Sequence, residues 1–367
     1  MVRETTEFDA IIIGAGIAGL SAADALIQKG FKCAIIDREN PGSGASGAPS
    51  MLVNPATGRR AKMSWHAEEA LHSVSDLLQR VKGFSGESFY ENNGVVRPAL
   101  YPEIGFDFKR APEKYNWPEG WIQWLEQEEF TSRFPFFENA HGGLIIGKGA
   151  TVKGSRYIKL LSQYLEANGL ITIYNSKAEY SQTDSGWKII LSSGETAQSE
   201  SIICATGSSL LKDPNWDFLP MNSIKGQTAT FRFNENVPLN SSVSSLGYLA
   251  YTSSSPDELV VGSTYEHNFE DLEPNEKGLN YLKDKLNSSL PGWSEKIIES
   301  DQWAGVRVSS KDNMPIIGNH PHLKGLYVFG ALGSKGMIHG RYVAQKIADY
   351  IADGKPINSA ISINRFV

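Results

Sequence analysis

The sequence predicts an α/β chain in which a parallel-sheet domain is interrupted twice by pieces of a second, α+β domain with a mixed sheet. Three observations predict it. Residues 9–37 run through an apolar β-branched stretch, a glycine turn, a helical pattern and a second apolar stretch. Near the other end, "LYVF" at 326–329 leads through Gly330, Gly333 and Gly336 into "RYVAQKIADYIADG", so the strand–glycine–helix pattern returns. Between them, 83–147 and 221–300 break this rhythm, the first with aromatics and prolines ("YNWPEGWIQW", "RFPFFENA"), the second with short strands and turns.

Each element has a local reason. "DAIII" at 9–13 is apolar and β-branched, as a fully buried strand is. The helix after it sets Leu20, Ala23, Leu26 and Ile27 on one face, and Gly30 stops it, because glycine takes a left-handed C-terminal turn at least cost. "KCAIID" at 32–37 is the second buried strand. "RENPGSGASGAPS" at 38–50 carries too much Gly, Pro and Ser for regular structure. Helical spacing returns over 64–81 and over 155–168. Strands are predicted in "ITIYNSKAEYSQ", "GWKIILSS" and "ESIICATG", then in "TATFRF" and "ELVVGST", with one helix near 276–288. The parallel-sheet domain is thus expected at 1–82, 148–220 and 301–367, and the second domain at 83–147 and 221–300.

Composition narrows the function. A chain of 367 residues with 41% hydrophobic and 21% charged residues is expected to fold as one large or two ordinary globular domains. No apolar run approaches the ~18 residues of a membrane span, and "MVRETTEFDA" lacks the apolar stretch of a leader, so a cytoplasmic location is expected. Net charge is −6, so the whole-molecule field does not favour nucleic acid. The best basic cluster is Arg59, Arg60 and Lys62, read as the solvated start of a helix or a contact for an RNA phosphate. Cys33 and Cys204 sit in strand-like runs and are expected inside, unpaired. His66 and His72 lie on the same predicted helix without partners at metal spacing, so no metal is expected there, and His339 stands apart from both.

"GAGIAG" places Gly14, Gly16 and Gly19 in the G-x-G-x-x-G spacing, between a strand and a helix, with Asp37 at the end of the next strand. In that context the spacing means a Rossmann-like dinucleotide site. Gly14 permits the tight turn, Gly16 lets the pyrophosphate approach the backbone, and Gly19 lets helix and strand pack closely. The flanking Ile17 and Ala18 offer N–H groups at the positive end of the helix, and Asp37 is placed to accept from a ribose. The further glycine loops, "GASG" at 44–47, "ATG" at 205–207 and "GALGSKG" at 330–336, suit a longer dinucleotide. FAD carries a three-ring flavin, and enclosing it takes loops from distant parts of the chain. The first loop would hold the pyrophosphate and the last would reach the flavin.

With "IIIGAGIAGLSAADAL", "IID", "GASG", "IICATGSS", "AGVRVSSKDNMPIIG" and "GLYVFGALGSKGM" together, the chain resembles the FAD-dependent D-amino acid oxidase superfamily over nearly its full length. Within it the glycine and sarcosine oxidase branch is similar. "SIKGQ", "GSTYEHN", "DNMPIIG" and the terminal "SINRF" further resemble the oxidoreductase half of MnmC, the bifunctional tRNA wobble-uridine enzyme, although these residues hold no counterpart of its methyltransferase half.

The resemblance implies a glycine oxidase-like fold, non-covalent FAD, and oxidation of a C–N bond. A neutral amine gives a hydride from its α-carbon to the flavin, and the imine hydrolyses. It implies that Arg307 pairs with a substrate carboxylate, that Tyr248 shares that carboxylate in competition with Tyr251 and Tyr265, and that Lys335 faces the charge of the reduced flavin. Cofactor contacts are expected from Gly14, Gly16, Ile17, Ala18, Gly19, Asp37 and Arg38, then from Ala45, Ser46, Gly47, Ala178, Ala205, Gly207 and Gly305. Gly333, Ser334, Lys335, Gly336 and Met337 are expected around the ring, and Lys225 and Gln227 on the active-site face of the second domain. A glycine-type amine, a D-amino acid or a modified tRNA are the substrates the resemblance leaves open, with oxygen or another acceptor taking the electrons.

Overall fold

The computed structural model describes residues 6–367. Residues 1–5, which carry part of the expected leaderless start, lie outside the described residues. The first sheet is centred on Thr6–Ile13, which lies parallel to Cys33–Ile36 on one side and to Thr196–Cys204 on the other. Ile171–Ile173 extends it beyond Cys33–Ile36. The outer edge of Thr196–Cys204 serves two neighbours: Gly186–Leu191 pairs antiparallel with its first half, and Leu326–Gly330 parallel with its second. The last glycine loop therefore leaves the sheet two strands away from the first. Ile11, Ile12, Ile35, Ile36, Ile202 and Ile203 are completely buried, which is why these strands read as apolar runs without alternation. Helices Ile17–Ile27, Ala67–Ser85, Gly154–Ala167 and Gly336–Asp353 cover one face in a common core.

The second sheet has eight strands, antiparallel except where Ser242–Ser244 runs beside Val95–Pro98. Its longest pair is Met221–Phe233 against Ile297–Ser310. One face packs on helix Glu276–Ser289 and on Phe130, Phe134 and Phe137 in a separate core. The opposite face looks toward the first sheet. Asn275, whose side chain accepts the N–H of Gly278, starts the helix at the expected place.

Several elements differ from their sequence expectation. The helix expected over 64–81 spans Ala67–Ser85. His66 holds a left-handed φ of 45°, which no helix contains, and the helix runs through Gly83 to Gly86, whose φ of 68° ends it. Arg59, Arg60 and Lys62 consequently lie on a small hairpin, Ala56–Thr57 against Lys62–Met63, and not at a helix start. The buried Arg97 guanidinium fastens that hairpin through the carbonyls of Ala56 and Gly58, each at 2.8 Å. "ITIYNSKAEYSQ" is two strands, Ile171–Ile173 and Ala178–Thr183, divided at Asn175, which has a φ of 55°. Cys33 and Cys204 are buried and unpaired as expected. Among the described residues no helix is long and apolar enough to cross a membrane, and no group of three His, Cys, Asp or Glu could hold a metal ion.

Candidate active site

The first glycine loop is fixed at Gly14 and Gly19 by contacts that admit only glycine. Gly14 has a φ of +106°, and a Cβ there would meet Ala205 O at 2.4 Å. A Cβ on Gly19 would lie 1.8 Å from Gly14 O. At Gly16 it would meet only the Ser46 hydroxyl, at 3.0 Å, so the backbone there can be approached. Ser46 Oγ accepts the N–H of Ile17 at 2.9 Å, which folds the Ala45–Gly47 turn over the helix start. Asp37 accepts from the N–H groups of Ala15 at 2.6 Å and Glu39 at 3.0 Å. Its carboxylate thus braces the loop from the end of the second strand. Gly207, with a φ of +56°, faces open space beside Ala205. Ala178 begins the outer hairpin, and Arg38 is exposed beside Glu39.

The closing loop lies directly against this one. A Cβ on Gly336 would stand 3.7 Å from Ile17 Cδ1, so the first turns of helices Ile17–Ile27 and Gly336–Asp353 touch. Neither first turn contains an acidic residue. Each helix N-terminus carries about half a positive charge, so the two ends held together make this side of the loops favourable to an anion. Lys335 adds its ammonium, which donates to Asn313 O at 3.0 Å. Burial, and then Lys62 nearby, push its pKa below the ordinary lysine value, against a smaller upward pull from Asp312. Met337 is buried beneath the loop, and Ser334 is exposed at its tip.

One strand joins the two loops. In Ile297–Ser310, Gly305 meets Ala45, where an added Cβ would come within 3.1 Å of the Ala45 Cα. Three residues on, Val308 O accepts the N–H of Gly333 at 2.9 Å. Arg307 stands between these two points. The register pairs Arg307 with Ile224, Gly305 with Gly226, Trp303 with Thr228, and Thr228 in turn with Gly262, which faces Tyr248. All of these side chains therefore project from the same face. Gly226, Gly262 and Gly305 make its floor: an added Cβ on Gly226 would meet Arg307 Nη2 at 2.4 Å, and one on Gly262 would meet the Tyr248 ring at 2.4 Å. Arg307 is half-buried, donates to Thr264 O at 3.0 Å and lies 4.7 Å from the Tyr265 ring centre. No carboxylate of the described residues forms an ion pair with it. Tyr248 reaches toward Ser50 O at 3.4 Å; burial raises its phenol pKa, the Arg307 charge lowers it, and Tyr265 adds a smaller upward push.

The structure separates the remaining candidates. Of the three tyrosines, Tyr248 shares Arg307's face, Tyr265 covers the guanidinium from outside, and Tyr251 is buried in the second core, away from both. Lys225 and Gln227 project from the far face of the sheet, opposite Arg307, where they are 2% and 1% exposed. The expectation that they line the active-site face is corrected by strand register: residues one removed from Gly226 point the other way. His66 bonds Glu69 at 3.0 Å, and His72 is exposed. His339 is buried in the first turn of Gly336–Asp353, close to Trp65, with neither ring nitrogen hydrogen-bonded. Gly226, Gly262, Thr264 and Ser50 were not singled out beforehand. The glycines could have been, since a glycine inside a strand marks a close approach of another group.

The cleft between the loops suits FAD. Gly16, Ala18, Ala45, Ser46, Gly47, Met51, Leu332, Gly333, Lys335 and Arg307 are all partly accessible, although the strands and helices that carry them are buried. The loop ends at the helix starts are glycine-lined and carry Lys335. The fold and these loops define a dinucleotide-binding protein of two sheets. Residues 9–350 match the family described as DAO, FAD dependent oxidoreductase. The chain belongs to this family and is an FAD-dependent oxidoreductase.

Relatives and neighbours agree on the fold. The bifunctional protein MnmC of tRNA 5-methylaminomethyl-2-thiouridine biosynthesis from Idiomarina loihiensis is 27% identical over 93% of this chain and 55% of its own length. That from Thiobacillus denitrificans is 23% identical over 94% and 56%. The chain thus spans a little over half the length of these curated relatives. Among solved structures, glycine oxidase from Geobacillus kaustophilus superposes with a TM-score of 0.86 at 20% identity, covering 99% of this chain and 98% of its own. Iminodiacetate oxidase from Chelativorans sp. BNC1 does so at 0.80 and 22%, covering 97% and 98%.

Proposed function

We propose that this enzyme oxidises the C–N bond of an amino acid or N-substituted glycine, R–NH–CH2–COO⁻, whose imine product is then hydrolysed. The observation that carries this reading is Arg307, a guanidinium without a carboxylate partner, laid over a glycine floor between the two loops. A planar fork pairs bidentately with a planar carboxylate and so fixes the α-carbon beside it. The Tyr248 hydroxyl, on the same face, supplies a second hydrogen bond to that carboxylate.

In this reading Gly14, Gly16, Gly19 and Ser46 hold the FAD pyrophosphate without a covalent bond, and the Gly333–Met337 turn meets the ring. FAD, when bound, accepts the hydride leaving the α-carbon. The start of Gly336–Asp353 and the Lys335 ammonium stabilise the negative charge that follows, because they are already oriented and need no rearrangement. The first sheet and its helices then serve the cofactor, and the second sheet serves the substrate.

A second reading has one supporting observation. The exposed Arg59, Arg60 and Lys62 hairpin lies close enough to Lys335 for Lys62 to shift its pKa, so a glycine-type group carried on a tRNA could rest phosphates there. The test is a screen of N-methylglycine, glycine, D-alanine and bulk tRNA against the FAD-loaded protein without oxygen, following loss of flavin absorbance. Bleaching by the small glycines supports the first reading, and bleaching by tRNA alone supports the second. No bleaching by any of them overturns both. Admitting air afterwards, and measuring peroxide, shows whether oxygen is the acceptor.

A further inference from the structure

The far face of the second sheet carries a buried polar network that no step of the proposed reaction uses directly. Gln227 Nε2 donates to Glu266 Oε1 at 2.7 Å, and Gln227 Oε1 accepts the N–H of Asn275 at 2.9 Å. The same Glu266 oxygen accepts from Thr264 Oγ1 at 2.7 Å, and Thr264 Oγ1 accepts the N–H of Gln227 at 2.9 Å. Lys225 Nζ donates to Glu273 O at 2.7 Å and to Asp271 Oδ1 at 3.2 Å. Segment 264–275 is therefore tied along its length to one strand, entirely through polar contacts.

Apolar packing cannot hold this segment. It borders an open pocket of about 600 Å³ lined by Ser223, Lys225, Glu266 and Asp271, and Tyr265, His267, Asn268, Glu270, Asp271 and Leu272 are exposed. Yet its first two residues are the ones that restrain Arg307. The Thr264 carbonyl takes one guanidinium N–H, and the Tyr265 ring lies over the plane. An arginine without such restraint would have to surrender rotamer freedom on meeting its ligand, and affinity would fall by that amount.

We infer that Thr264 and Glu266 are positioning residues for Arg307: the Gln227–Glu266–Thr264 hydrogen bonds on one face of the sheet set the carbonyl that aims the guanidinium on the other. This rests on the reading of Arg307 as the carboxylate ligand. Thr264→Val keeps shape and carbonyl but removes the hydroxyl bonds. Glu266→Ala removes the shared acceptor, and Glu266→Gln keeps an oxygen in its place.

The FAD-loaded variants, with Arg307→Ala beside them, are titrated with acetate by calorimetry and compared in N-methylglycine turnover. Thr264→Val and Glu266→Ala are expected to raise the acetate Kd about tenfold, the change expected from losing roughly one charge-assisted hydrogen bond. The turnover loss should fall on KM and not on kcat, with bound FAD retained, and Glu266→Gln should restore acetate affinity. An unchanged acetate Kd in both Thr264→Val and Glu266→Ala, where Arg307→Ala weakens binding, overturns the inference alone. An unchanged Kd in Arg307→Ala overturns the carboxylate reading, and this inference with it. If Glu266→Ala sheds its FAD, Thr264→Val decides. Equal losses in Glu266→Gln and Glu266→Ala overturn the hydrogen-bond account.

Discussion

Gly340 and Ile17 meet where the first and last helices of the cofactor groove cross: a Cβ on Gly340 would lie 2.6 Å from Ile17 Cγ2. Ile17 is β-branched and has little rotameric freedom in a helix. Gly340→Val should therefore push the helices apart, lowering stability by about 1–3 kcal/mol and weakening FAD binding. Urea unfolding and FAD titration of the apoprotein measure the two effects. An unchanged FAD affinity would show that the contact between the helix starts is not what holds the cofactor.

Removing the Arg307 guanidinium should weaken a carboxylate ligand about a hundredfold, the cost of losing a partly desolvated charge partner. Bound FAD should remain, because Arg307's side chain is held by Thr264 O and the Tyr265 ring of the second domain and, among the described residues, makes no contact with the first glycine loop. Arg307→Ala, titrated with acetate and assayed for flavin content, checks both halves.

Gly226→Ala should reach the same site from below. The added methyl would stand 2.4 Å from Arg307 Nη2, the free end of a long side chain, so the fold can accept it while the guanidinium cannot keep its place. Thermal melting is expected to stay near the parent value while acetate affinity falls. A large drop in melting temperature with intact acetate binding would show the reverse.

Lys335→Met should lower the midpoint potential of the flavin, since a positive charge beside the reduced form stabilises it. Spectroelectrochemistry reads this directly. An unchanged potential would leave the helix start as the source of that charge.

Acid should destabilise the fold through His339. Burial, and then Lys335 and His66, depress its pKa from 6.5 to about 4. The unfolded chain therefore binds this proton at a higher pH than the folded one does. The stability held above pH 6.5 is lost as pH falls through that window, by at most about 3 kcal/mol, and no further loss follows below about pH 4. His339→Leu should flatten this slope in urea midpoints measured across the window.

What could be read beforehand followed from backbone demands. Gly14 and Gly19 are written in the sequence because no other residue survives those contacts, Gly16 keeps the backbone open to approach, and the buried strands show as runs because both faces are covered. Arg307 was found through a motif, and its place between the loops is what the structure adds. Lys225 and Gln227 were misplaced because a strand's alternation reveals two faces without saying which is which. Only pairing with Ile297–Ser310 decides it. Tyr248 and Tyr251 could not be separated beforehand, because the strand that carries Tyr248 ends at Ala250 and leaves Tyr251 outside its alternation. The hairpin at 56–63 gave no signal: its strands are two residues long, and the arginine that fastens it comes from residue 97.

The placement of Leu326–Gly330 beside Thr196–Cys204, two strands from Thr6–Ile13, has a bearing on biosynthesis. At roughly 10 residues per second on a ribosome, about twelve seconds separate the emergence of Cys204 from that of Leu326. During that interval the second half of Thr196–Cys204 has bare N–H and C=O groups along its outer side. A nascent chain in that state is an adhesive edge, a natural client for chaperones, until residues 326–330 have emerged and paired with it.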